Sequence, residues 1–126
     1  KLLVLSNPIN EGGPRFFQTV FLTEADLFIA RMNVSDREKL FRKIYQAERV
    51  RDPALFKKLS NEIWELRFRM GNLRLRVLAF WDKRQPTKTL VVATHAFVKK
   101  TDRVPEKEID KAVRIRRFYF EHTHNN

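Results

Sequence analysis

Cysteine is absent from this chain of 126 residues, which excludes a disulfide framework and any thiolate metal site. A reducing compartment fits that absence, and the expected location is cytoplasmic. No apolar run approaches the roughly 20 residues of a membrane span, and the first residues do not resemble a signal peptide. No membrane partner is therefore expected. Internal repeats, low-complexity stretches and linkers are missing too, so the chain reads as one domain, with residues 1–15 as an N-terminal extension and 16–126 as the folded unit. Acidic charge is in short supply: 15 Asp and Glu stand against 26 Lys and Arg, for a net charge of +11 and a pI near 10.4. A domain this basic meets a polyanion or an acidic protein, unless the charge serves only to keep it in solution. What is present is core material. A hydrophobic fraction of 43% with 11 Phe suits a packed globule, and the length suffices to bury one.

With only three glycines, Gly and Pro act as punctuation. "NEGGPR" (10–15) sets off a short apolar start, "LLVL", which fits either an edge strand or a loosely held tail. "RFFQTVFL" (15–22) is aromatic and β-branched, and predicts a strand. Thr23 is then the expected N-cap of a short helix, with Asp26 in the capping-box position and Leu27, Phe28 and Met32 facing inward. Ser35 with Glu38 predicts a second helix with an apolar stripe of Leu40, Phe41, Ile44 and Ala47, ended by Asp52-Pro53. So short a link predicts a helical hairpin. Three strands follow in "IWELRFRM", "LRLRVLAFW" and "TLVVATHAF", with Asp82 to Lys88 as a loose connection between the last two. Pro105 opens a final helix that docks through Ile109, Ala112, Val113, Arg116 and Phe120. The order is β-α-α-β-β-β-α: an α+β domain whose antiparallel sheet packs against the helical hairpin and the C-terminal helix.

The segment "ELRFRMGNLRLR" (65–76) holds the chemical signal. A two-residue II′ turn at Gly71-Asn72 pairs Met70 with Leu73, and hence Arg69 with Arg74 and Arg67 with Arg76. Trp64, Leu66, Phe68 and Met70 then share a core face with Leu73, Leu75, Val77 and Trp81, and all four arginines lie on the other. Like charges directly opposite cost up to about 1 kcal/mol per pair. Glu65 is the obvious counter-charge, so an external anion is the natural partner, and guanidinium forks suit phosphate oxygens. The plainer alternative is a solvated arginine face, or one paired with Glu106, Glu108 and Asp110. Lys99, Lys100 and Arg103 follow the last strand and can converge on the same place.

Such a set can support RNA cleavage by the RNA's own 2′-OH, which requires a base, an acid and cations around the phosphorane, but no metal or cofactor. A lysine crowded by guanidinium groups loses its proton more readily. Lys99 or Lys100 is a reasonable base, the other a phosphate clamp, and Glu65 is a rival base. His95 shares parity with Phe97 and points to the core. His122 and His124 follow the last helix, where a histidine can sit over a site, and H-x-H alone is a weak metal signal. Tyr119 can stack on an exposed base or belong to the core.

"LSNEIWELRFRMGNLRLRVLAFW" followed by "THAFVKKTDRVPEKEIDKA" resembles the phage-derived, HigB-like branch of the RelE/ParE toxin superfamily over roughly residues 16–118. The resemblance implies a RelE-like fold and a type II toxin that cuts mRNA on the ribosome, restrained by a cognate antitoxin with either an acidic segment or a helix-turn-helix. Arg67 falls on the arginine of the family's E-L-R strand, Arg76 on that of the return strand, and Lys99 and Lys100 on its K-K pair. Arg69 and Arg74 are additions. Leu75 replaces the usual aromatic before Arg76, and Val104 replaces the polar cap of the last helix, leaving Thr101 or Asp102 to supply it. Some RelE-type relatives carry a lysine at the position of Glu65, so their base does not transfer unchanged. Two further functions fit parts of the pattern: a ParE-like poison of DNA gyrase, and a non-catalytic RNA-binding module.

Overall fold

The computed structural model describes residues 5–6 and 14–124. Strand β1 (Leu5–Ser6) and β2 (Gln18–Phe21) precede two helices, α1 (Thr23–Ala30) and α2 (Val34–Arg49). Strands β3 (Phe56–Ser60), β4 (Ile63–Met70), β5 (Leu73–Gln85) and β6 (Lys88–Lys99) follow, and α3 (Glu106–His122) ends the order. The strands form one sheet in the order β1-β2-β6-β5-β4-β3. All pairings are antiparallel except that of β2 with β6, which run parallel. No helix among the described residues is long and apolar enough to cross a membrane.

Both faces of the sheet are covered, which explains why "VLAFW" and "LVVA" read as unbroken apolar runs rather than alternating ones. On one face α1 and α2 bury Ala25, Ile29, Leu40 and Ile44 against Leu66, Phe68, Leu75, Val77 and Val91. On the other, α3 buries Ile109, Ala112 and Tyr119 against Ile63, Leu78, Phe80 and Val92.

Several local expectations shift. Helix α1 starts at Thr23, so Leu22 is the N-cap and no side chain caps it; Leu27 turns out to be exposed. The cap of α2 is Asn33 rather than Ser35: its side chain accepts from the Asp36 backbone N–H at 2.8 Å while donating to the Asp36 carboxylate at 3.1 Å. That helix stops at Arg49, ahead of Asp52-Pro53. Helix α3 has Pro105 at its N-cap with no side-chain bond; Thr101 instead donates to the Arg103 carbonyl, so neither it nor Asp102 is the cap. The connection expected over Asp82 to Lys88 is mostly strand, because β5 runs to Gln85, which pairs with Lys88. Strand β3, unanticipated, joins β4 through a tight turn in which Asn61 takes a positive φ of 48°. Of the extension over residues 1–15, Leu5 and Ser6 pair with β2 at the sheet edge, and the rest of "LLVL" lies outside the described residues.

Candidate functional site

The turn between β4 and β5 has Gly71 at φ 59° with Asn72 outside the left-handed region, as a II′ turn requires. The register follows as expected: Met70 opposite Leu73, Arg69 opposite Arg74, Phe68 opposite Leu75, Arg67 opposite Arg76. On β6 a bulge at Thr94 resets the parity, so His95 lies opposite Leu78, Phe97 opposite Arg76, and Lys99 opposite Arg74. On the far side Lys57 of β3 lies opposite Glu65. One face of the sheet thus carries Lys57, Glu65, Arg67, Arg69, Arg74, Arg76 and Lys99 across four strands. Sequence reasoning missed Lys57 because β3 itself was not recognised.

Charge on this face is held off balance. Glu65 and Arg76 are both buried, with Arg76 Nε 3.1 Å from Glu65 Oε1. That contact is out of line for a hydrogen bond, and both atoms lack any other partner. Arg76 also donates to the Leu75 carbonyl at 3.0 Å. Burial lowers the Arg76 pKa; Glu65 opposes this, and Arg67 and Arg74 add to it. The guanidinium stays charged all the same. Among the described residues, Arg67, Arg69 and Arg74 make no ion pair, and Glu106, Glu108 and Asp110 pair with none of the arginines. A cleft of about 210 Å³ opens among Ala54, Arg67, Phe68, Arg69, Arg74 and Arg76.

Lys99 is half-buried on the same face, and its pKa is lowered, first by burial and then by Arg76, Arg74 and Arg67, against the opposing pull of Glu65. Lys100 lies one residue past β6 and is exposed, so the lysine pair divides: Lys99 joins the arginines and Lys100 does not. Arg103 is exposed in the link to α3.

Two other expected contributors lie elsewhere. Tyr119 is buried, its hydroxyl donating to Asp82 Oδ2 at 2.7 Å and its ring edge-on to Phe80, so no base can stack on it. Burial and the neighbouring carboxylate push its pKa up to about 12. His122 stacks on Phe118 at 3.9 Å and hydrogen-bonds the Phe118 carbonyl, near the end of α3. That end is fastened to Arg84, which donates to the Thr123 carbonyl at 2.8 Å. Eight steps along the strand separate Arg84 from Arg76, roughly 26 Å at a strand's rise, so neither Tyr119 nor His122 reaches the arginine face. His95 points to the core as expected, Nε2 3.0 Å from Glu108 Oε1 and Nδ1 2.9 Å from Thr94 Oγ1.

What converges is a set of cations around a small cleft, with one buried carboxylate behind it and one lysine that gives up its proton more readily than an ordinary one. Guanidinium forks can grip a phosphate bidentately, and such a lysine can take a proton. No curated protein matches the chain. Residues 28–117 match the model of the phage-derived Gp49-like proteins (DUF891), a stretch that holds the arginine hairpin, the lysine pair and most of α3. Since that match covers well over half of its length, the protein belongs to the phage-derived Gp49-like family.

Proposed function

We propose that this protein is the toxin of a type II toxin–antitoxin pair, an mRNA endonuclease that works on the translating ribosome without a metal cofactor. The observation that carries the reading is the arginine face, where Arg67, Arg69 and Arg74 surround the buried Arg76–Glu65 contact without ion-pair partners among the described residues. Cross-strand arginine pairs cost stability, and a bound phosphodiester repays it by giving each fork an acceptor. In the proposed reaction neutral Lys99 accepts the proton of a 2′-OH. The 2′-oxygen bonds to the adjacent phosphorus, the bond from phosphorus to the 5′-oxygen breaks, and the leaving oxygen takes a proton from water. The products are a 2′,3′-cyclic phosphate and a 5′-hydroxyl. Arg76 and Arg67 stabilise the charge that develops on the phosphorane, and Glu65 positions Arg76. An acidic antitoxin segment covering the same face fits the net charge of +11.

Primer extension on a translated message tests this directly, with the wild-type protein and an Arg76→Ala, Lys99→Ala double variant. Codon-spaced cuts that need ribosomes and vanish in the variant are the expected result. If neither protein cuts, with or without ribosomes, the endonuclease reading fails.

A further inference from the structure

Two rows of cross-strand neighbours run over the arginine face. One reads Phe97, Arg76, Arg67 from β6 through β5 to β4, and the next reads Lys99, Arg74, Arg69. Residues directly opposite in an antiparallel sheet share a face, with Cβ atoms about 5 Å apart. Phe97 therefore stands against Arg76, and the alternation along β6 puts Lys99 beside it on the same face. Among the described strand residues of this face, Phe97 is the one aromatic ring that is not buried, since Phe80 and His95 are both closed off. The cleft of the site lies on the other side of Arg76, toward Arg67 and Ala54. Arg76 thus has cations and the cleft on one side and a half-open ring on the other.

That ring is held before anything binds. It packs on the apolar cluster in which α3 contributes Ile109 and Ala112 and the sheet contributes Leu78. Its neighbour along the strand, His95, lies 5.9 Å away between ring centres with the planes inclined by 30°. His95 is itself tied down, to Glu108 at 3.0 Å and to Thr94 at 2.9 Å. Cations elsewhere in the chain cover Tyr45, Phe16 and Phe120, but neither the arginines of this face nor Lys99 lie over Phe97. An ordered, half-open ring costs little entropy to stack on, and stacking on aromatic side chains is how proteins hold unpaired nucleobases.

Building on the endonuclease reading, we propose that Phe97 is the stacking residue of the site and holds the nucleotide whose 2′-OH attacks. The side of the cut follows from the strands. Lys99, the proton acceptor, shares β6 with Phe97, whereas the arginines around the phosphate stand on β4 and β5. The sugar that gives its proton to Lys99 therefore carries the nucleobase that lies on Phe97. The nucleotide beyond the cut lies toward the arginine strands. Fixing the 5′ nucleobase restricts its ribose, and so helps to align the 2′-oxygen with the leaving 5′-oxygen.

Single-turnover cleavage on ribosomes programmed with a synthetic message tests this, at a cut located by primer extension. Wild type, Phe97→Leu and Phe97→Tyr are each given three messages: intact, lacking the nucleobase 5′ of the cut, and lacking the one 3′ of it. Phe97→Leu should slow cleavage of the intact message about tenfold, whereas Phe97→Tyr keeps the ring and should keep the rate. Loss of the 5′ nucleobase should slow the wild type by a similar factor and Phe97→Leu no further, because ring and nucleobase act as one pair. A damaged fold does not produce that coupling. Equal rates for wild type and Phe97→Leu, a Phe97→Tyr variant as slow as Phe97→Leu, losses that multiply, or coupling to the 3′ nucleobase instead, each overturn the assignment while cleavage itself stands. A wild type that cuts nowhere overturns the endonuclease reading and the stacking role with it.

Discussion

Glu65 is the residue on which the site's electrostatics turn. Among the described residues it is the one carboxylate paired with Arg76, and that contact is buried on both sides. Glu65→Gln leaves a buried guanidinium without a counter-charge, and breaking such a pair costs about 3 kcal/mol. The expected drop in denaturation midpoint should be partly restored by sulfate if the face is an anion site, since a ligand of the folded state adds stability. Sulfate that leaves the variant's midpoint unmoved counts against that role. Lys99 gives a second test. Its pKa is lowered from 10.5, so the folded chain holds that proton less tightly than the unfolded chain. The group's contribution to stability therefore rises with pH between the lowered value and 10.5, and the neutral amine accumulates at lower pH than on an ordinary lysine. Titration of the Lys99 side chain by carbon NMR should show this, with Arg76→Ala moving the midpoint upward. A midpoint at the ordinary value in the native protein removes Lys99 as the proposed base. The arginine register was legible in sequence because one glycine in a strand–turn–strand pattern admits one pairing. Lys57 was not, since nothing in "FKKLS" distinguishes an edge strand from a loop.

At the scale of elements, α3 is held at both ends by polar contacts that the apolar pattern does not reveal. Near its start, Glu108 meets His95. At its end, Asp82 accepts from Tyr119 and from Arg84 Nε and Nη2, both at 2.9 Å, while Arg84 reaches Thr123. Burial alone raises the Asp82 pKa, but the hydrogen bonds from Arg84 and Tyr119 outweigh it and the net shift is downward. Tyr119→Phe removes one donor from a buried carboxylate, for a loss of roughly 1–2 kcal/mol, read as a lower melting temperature with the arginine face unaffected. A melting temperature equal to wild type shows the latch to be slack. His95 has its pKa lowered from 6.5, first by burial, with Glu108 pulling the other way. Its stabilisation is complete above pH 6.5 and is lost as pH falls from there toward the lowered value. His95→Gln should flatten that acid limb in a melting series, and an unchanged limb assigns it to the carboxylates. Sequence patterns located every helix and misplaced the caps, because Asn33 and Ser35 offer the same chemistry two residues apart and backbone context decides between them. The strand between Asp82 and Gln85 was hidden by its polarity, although Asp82 is there to fasten a helix rather than to turn the chain.

Over the whole molecule, the excess of positive charge divides between a concentrated face and a dispersed surface. Neutralised RNA phosphates release counterions, and each contact contributes about −0.7 to the slope of log affinity against log salt for a single strand. An Arg67→Ala, Arg69→Ala, Arg74→Ala variant should therefore flatten the slope by about 2. A slope unchanged within error places RNA on the dispersed charge instead. Net charge pointed to a polyanion or an acidic protein from composition alone, but only the sheet register shows where the charge is gathered. The parallel pairing of β2 with β6 has a different kind of consequence. Gln18 finds its partner in Leu90, across a loop of about seventy residues, and such long-range closures slow folding. The same last strand delivers Lys99 to the arginines. During synthesis, then, the hairpin emerges and pairs while the lysine that completes the face is still inside the ribosome's exit tunnel. The nascent chain therefore carries an incomplete face until β6 has left the tunnel.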